Sequence, residues 1–175
     1  QAGSEPGTTD YVISAYEPQN ITWTVYSDNA GSDTSGEYRG GLFFTDRSLT
    51  GVRDALTLNT MLSDGTKSFG LGYSRPLGHS GTKLNIQYST NSVHITDGIL
   101  EPLNVRGHAY AMNVGLSQLL VATEKIRTEA TLDYGQQNSK TDFSGQHWLD
   151  DIIKGVTAGY SVTNYGASSV IYQKH

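Results

Sequence analysis

Five histidines, His79, His94, His108, His147 and His175, are the first residues to weigh for chemistry. Metal-binding helices place two histidines at H-x-x-x-H or H-E-x-x-H spacing, so that both imidazoles converge on one ion. None of the five has that spacing, and solvated loop histidines are the expected reading. Asp28, Asp33 and Glu37 crowd one stretch but lack the D-x-[DN]-x-[DN]-G order that wraps calcium. Gly70-Leu71-Gly72 begins like a dinucleotide fingerprint, yet Arg75 stands where a glycine is needed and no helix follows. No G-x-S-x-G occurs, and Asp, His and Ser fall at no triad-like spacing. No catalytic residue, cofactor-binding residue or metal ligand is therefore assigned, no cofactor is expected, and the chain is expected not to be an enzyme.

The elements that carry these residues explain the lack of chemistry. Hydrophobic residues make up 36% of the 175 and charged residues 17%. The difference is filled by 20 glycines, 11 tyrosines and many Thr, Ser and Asn, which are residues of strands and turns. The net charge is −5 and no basic block exists, which argues against a nucleic-acid partner. The absence of cysteine excludes disulfide scaffolds and thiolate sites. No apolar run approaches the roughly 20 residues of a membrane helix. Transmembrane β-strands need only about 9–11 alternating residues, so they escape that test. The chain begins with Gln1 and carries no signal-peptide pattern, as expected of a processed or excised piece.

Period-2 alternation runs through the chain. A short strand is expected at Tyr11–Tyr16. Ile21, Trp23 and Val25 oppose Thr22, Thr24 and Tyr26. The stretch around Leu42–Phe44 is apolar on both sides, which leaves its register open. Leu56 and Leu58 oppose Thr57 and Asn59; Leu71 and Tyr73 oppose Gly70, Gly72 and Ser74; Leu84, Ile86 and Tyr88 oppose Asn85, Gln87 and Ser89. Val114 and Leu116 oppose Asn113 and Gly115, Leu132 opposes Thr131, and Val156 opposes Thr157. These are eight long strands in an all-β antiparallel arrangement with no convincing helix. Connections near 46–53, 75–82 and 122–128 are short or carry Pro or Gly. Those near 27–36, 96–107 and 138–150 are longer and polar, and the one at 63–67 is short. Short turns at one end and long loops at the other fit a transmembrane β-barrel with lipid on its apolar side. Trp23, Tyr73, Tyr88, Tyr110, Tyr134 and Tyr160 then suit interfacial girdles. Alternatives are a self-contained eight-stranded barrel acting as adhesin or pore, and a soluble ligand-binding β-barrel.

Two hairpins carry a resemblance. "SDNAGSDTSGEYRGG" resembles the first barrel hairpin of two-partner secretion transporters, the ShlB/FhaC/HecB-type haemolysin secretion/activation proteins. Asp28, Asn29, Gly31, Ser32, Gly36, Tyr38 and Arg39 match it. "YSRPLGHSGTKLNIQYS" resembles a second family hairpin through Tyr73, Pro76, Leu77, Gly78, Gly81 and Leu84. "GSEPGTTDYVISAYE" is similar to the last strand of the family's second POTRA domain.

The resemblance implies two periplasmic POTRA domains followed by a sixteen-stranded barrel in the bacterial outer membrane. It implies type V secretion of a large haemolysin or adhesin-type exoprotein through the barrel, without a nucleotide. It implies as partners the exported passenger, outer-membrane lipid and the barrel assembly machinery, but no nucleic acid. Residues 1–18 are then the end of a POTRA-like domain and linker, and 19–175 the N-terminal half of the barrel. The family's V-R-G-[FY] loop tip is expected beyond His175, so Val105-Arg106-Gly107-His108 reads as coincidence. The first strand, Ile21–Asn29, would be the barrel seam, with Thr22, Thr24 and Tyr26 as candidate passenger-contacting edge residues. In the isolated chain that strand is expected to pair with Val156–Thr163. The ending lacks a closing aromatic residue, and the 175 residues alone are not expected to work as a transporter.

Overall fold

Alternating sequence becomes strand wherever both faces find a suitable medium. The computed structural model describes residues 19–166 and 170–174; the strand expected at Tyr11–Tyr16 lies outside them. The strands are β1 (Ile21–Asp28), β2 (Arg39–Asp46), β3 (Ala55–Ser63), β4 (Thr66–Pro76), β5 (Thr82–His94), β6 (Arg106–Ala122), β7 (Ile126–Phe143), β8 (Gln146–Tyr165) and β9 (Val170–Lys174). They form one antiparallel sheet in strictly sequential order. Glu101–Leu103 make a single 3-10 turn. Loops 29–38, 64–65, 95–105 and 144–145 share one end of the sheet, the loop end. Connections 47–54, 77–81 and 123–125 share the other, the turn end.

Register sorts the side chains. Leu56, Tyr73, Ile86, Val114, Tyr134 and Val156 stand in one row across six strands. The row beside it, on the opposite face, is Thr57, Gly72, Gln87, Asn113, Gly135 and Gly155. Among the described residues no hydrophobic side chain is buried; Trp23 and Val156 are each 69% exposed. A soluble sheet of this size would bury its apolar face as a core. The polar face is concave, enclosing a trough of about 640 Å³ between Asn59, Gly72, Gln87, Asn113, Asp133 and Thr157. An apolar convex face with a polar concave one is the wall of a membrane barrel.

Strands lengthen from eight residues in β1 to 20 in β8. The row Trp23, Phe44, Leu58, Leu71, Tyr88, Met112 turns polar at Gln136 and Lys154. The strands therefore slant across the apolar band, and the loop-end halves of β7 and β8 rise beyond it.

Two expectations are corrected, and one strand is added. Among the described residues the sheet holds the eight expected strands and a ninth, β9, whose five residues the polar sequence before it hid. Residues 138–150 form no long loop. β7 and β8 run on to a two-residue turn at Ser144 and Gly145, both with positive φ, as a primed hairpin turn demands. Polar residues on both faces there concealed the period. Val105 closes loop 95–105, and Arg106, Gly107 and His108 open β6. Ile21–Asp28 do not pair with Val156–Thr163: among the described residues β1 pairs with β2 alone, and β8 lies between β7 and β9. The open register of β2 resolves with Leu42 and Phe44 on the apolar face, beside Val25 and Trp23.

Candidate functional site

The trough is built by small residues. Its glycines make room for neighbours: a Cβ at Gly70 would meet the Asn59 amide, at Gly72 the Thr57 hydroxyl, and at Gly115 the Asp133 carboxylate. Gly41 likewise seats the Tyr26 ring, which stacks on Phe43 at 5.4 Å. Polar side chains thus lie flat against the sheet, and the trough stays open. The glycines that resembled a nucleotide fingerprint serve this end.

The loop end is locked by the hairpin of β1 and β2. Arg39 closes the base of loop 29–38, its Nε 2.5 Å from Asp28 Oδ1, and the same Oδ1 accepts the Ala30 N–H. Gly31 donates its N–H to the Glu37 carbonyl. Gly36 takes φ 106 and lies against the backbone N–H of Asp64 and the Ser63 side chain, a position closed to larger residues. Ser35, buried between them, accepts hydrogen bonds at its carbonyl from Ser63 Oγ and Gly65 N–H. Thr34 accepts the Thr96 N–H, which joins this loop to loop 95–105. Asn29 and Tyr38 stay exposed. Asp33 and Glu37 are also exposed, and with Asp28 engaged by Arg39 the three acids form no common site.

The turn end is locked by the hairpin of β4 and β5. Pro76 ends β4, and Gly78 (φ 76) and Gly81 (φ 79) turn the chain into β5. Tyr73 reaches the preceding turn, where its hydroxyl donates to Asp54 Oδ2 at 2.9 Å. Asp54 is fully buried and also accepts the Thr50 N–H and hydroxyl, each at 2.9 Å. Burial pushes its carboxyl up. The hydrogen bonds from the Thr50 N–H, the Tyr73 and Thr50 hydroxyls and its own N–H outweigh that and hold it at about 2. Asp54 and Thr50 carry no sequence signal, because an Asp in a turn is ordinary.

Thr22, Thr24 and Tyr26 project from the concave face of β1. Arg47 donates its N–H to the Asn20 carbonyl, which marks Asn20 and Arg47 as a hydrogen-bonded pair. By alternation, Thr22, Thr24 and Tyr26 direct their backbone groups at β2, and Ile21, Trp23, Val25 and Ser27 direct theirs away from it. His79 lies in the second hairpin's turn, His94 and His108 at the loop end, and His147 3.3 Å from Asp142; His175 is outside the described residues. Among the described residues, no three His, Asp or Glu side chains gather as a metal site.

The family model for haemolysin secretion/activation protein ShlB/FhaC/HecB matches residues 7–165. The chain belongs to that family. Its wall-like sheet is accordingly that of a bacterial outer-membrane β-barrel protein of the two-partner secretion type. Two solved structures are similar: CdiB from Escherichia coli, at 18% identity and a TM-score of 0.74 over 89% of this chain, and CdiB from Acinetobacter baumannii, at 18% and 0.69 over 90%. The chain spans 30% and 31% of those two chains. No curated protein matches the sequence.

Proposed function

We propose that this sheet is part of the wall of a pore that exports a large haemolysin or adhesin-type exoprotein, with the loop end outside and the turn end in the periplasm. The observation that carries the reading is the concave face. A chain in transit must make contacts that are easily exchanged. Thr, Ser, Asn, Gln and Gly offer hydrogen bonds little different from those of water, and no broad apolar patch to hold a passing segment. The role is that of a conduit rather than a catalyst. Outer-membrane lipid would cover the convex face, and the barrel assembly machinery would insert it. Residues 19–175 would form the N-terminal half of the barrel, with 1–18 the end of a POTRA-like domain and linker. Thr22, Thr24 and Tyr26 would line the seam that meets the passenger.

A photo-cross-linker placed in the secreting bacterium tests this. At Gln87 on the concave face it should capture a secreted polypeptide in the outer-membrane fraction; at Ile86, one position away on the convex face, it should not. Equal capture from both sites, or none from Gln87, would overturn the proposal.

A further inference from the structure

Charged side chains are scarce on the convex face, yet several gather at one place. Above the apolar band, the rows climb from Leu71, Tyr88 and Met112 through Phe69, Thr90 and Tyr110 to Lys67, Ser92 and His108. The next step holds His94 beside Arg106. Between these residues lies a groove of about 240 Å³, lined by Lys67, Ser92, His94, Arg106 and His108 together with one carboxylate, Asp64. Asn104, with a left-handed backbone at φ 43, holds two of the lining side chains in place. Its Oδ1 accepts from Arg106 Nε at 3.2 Å and lies 3.0 Å from His94 Nε2. The next cation along the row, Lys140, is engaged by Asp150 at 3.5 Å. Among the described residues neither Lys67 nor Arg106 has a carboxylate within salt-bridge distance.

We propose that this groove binds the phosphate of a phosphorylated glycolipid in the outer leaflet. The inference rests on the orientation given above, with the loop end outside. The shape of the site selects an amphiphile over a free anion. Acyl chains would lie on the band of Leu71, Tyr88 and Met112, the sugar at the level of Phe69 and Tyr110, and the phosphate between Lys67 and Arg106. Guanidinium and ammonium groups grip phosphate oxygens by charge-assisted hydrogen bonds, and the Ser92 hydroxyl and the His108 ring add further donors. This places at headgroup depth a use for Arg106 and His108, which the sequence comparison left without one.

The test uses the purified protein in nanodiscs, with unfolding followed by heat-modifiable mobility. Bis-phosphorylated lipid A should raise the unfolding midpoint. The fully dephosphorylated lipid, and inorganic phosphate at equal concentration, should not. Lys67→Gln with Arg106→Gln should weaken lipid A binding by on the order of tenfold or more. Lys67→Arg with Arg106→Lys should keep most of it, which separates lost charge from lost folding. Wild-type binding by the double Gln variant overturns the proposal. A response to inorganic phosphate equal to that of lipid A overturns the lipid source, and a response to phosphatidylglycerol equal to that of lipid A overturns the glycolipid. Passenger cross-linking from Gln87 is a separate measurement, so failure of the export reading and failure of this site are distinguishable.

Discussion

Tyr73 on β4 and Asp54 in the turn before β3 are joined by a 2.9 Å hydrogen bond, phenol to carboxylate. The pair fastens a strand tyrosine to a turn whose key residue is hidden from solvent. Its carboxyl is held at about 2, below the ordinary value of about 3.9. A depressed carboxyl stabilises the fold above its unfolded value, and that stabilisation fades as pH falls through the folded one. The amides of Thr50 and Leu49 should therefore stay protected from hydrogen exchange at pH 4 and lose protection near pH 2. Asp54→Asn should remove that acid transition, and Tyr73→Phe should shift it upward. An unchanged acid profile in Asp54→Asn would count against the assignment.

The two faces should respond oppositely to one charge. Val114→Arg lies on the convex face within the apolar band, and should cost about 2–4 kcal/mol in urea unfolding from lipid vesicles. Asn113→Arg, one residue away on the concave face, should cost far less.

Trough glycines should divide by what lies over them. Gly70→Val would collide with Asn59, and should destabilise by about 1–3 kcal/mol. Asn59→Ala should recover much of that loss in a double-mutant cycle. Gly155→Val meets nothing within 4 Å and should be close to neutral. Equal losses at the two glycines would refute the packing argument.

Gly36→Val combines a positive φ with a backbone neighbour, Asp64 N, only 2.7 Å from its added Cβ. Loop 29–38 should lift from the β3–β4 turn. Protease added to intact cells should cut it, while the wild-type loop resists.

Cysteines at Trp23 and Phe44 occupy a directly opposed, non-hydrogen-bonded pair, the spacing a disulfide accepts. They should cross-link on oxidation. A cysteine at Thr24 should form no intrachain bond with cysteines along Val156–Val162, because among the described residues β1 pairs with β2 alone and β9 occupies the far edge of β8 at Ser161 and Val162. A bond at any of those registers would show a closed eight-stranded ring instead.

Sequence pattern and structure agree where two faces meet two media. From Leu56 to Val156 the period-2 split names each residue's face, because lipid and water sort side chains as firmly as a core does. It failed for 138–150, where both faces of the hairpin are wet and alternation carries no signal. Leu42–Phe44 was ambiguous for the converse reason: Phe43 is apolar on the concave side, where it stacks on Tyr26. The motif glycines were legible as turns, but the buried Asp54 and the grip of Asn104 on Arg106 were not. Both depend on residues brought together from separate turns and strands, and a single sequence does not show such meetings.

Every pairing in this sheet joins strands adjacent in the chain. Each new strand closes only the short loop before it, so the entropy lost at each step is small and nearly constant. Among the described residues no pairing waits for a distant partner, which is the feature that slows most β-proteins. Such a sheet can grow hairpin by hairpin in the order of synthesis, with a single advancing edge at every stage. An inserting machine need then hold only one strand at a time.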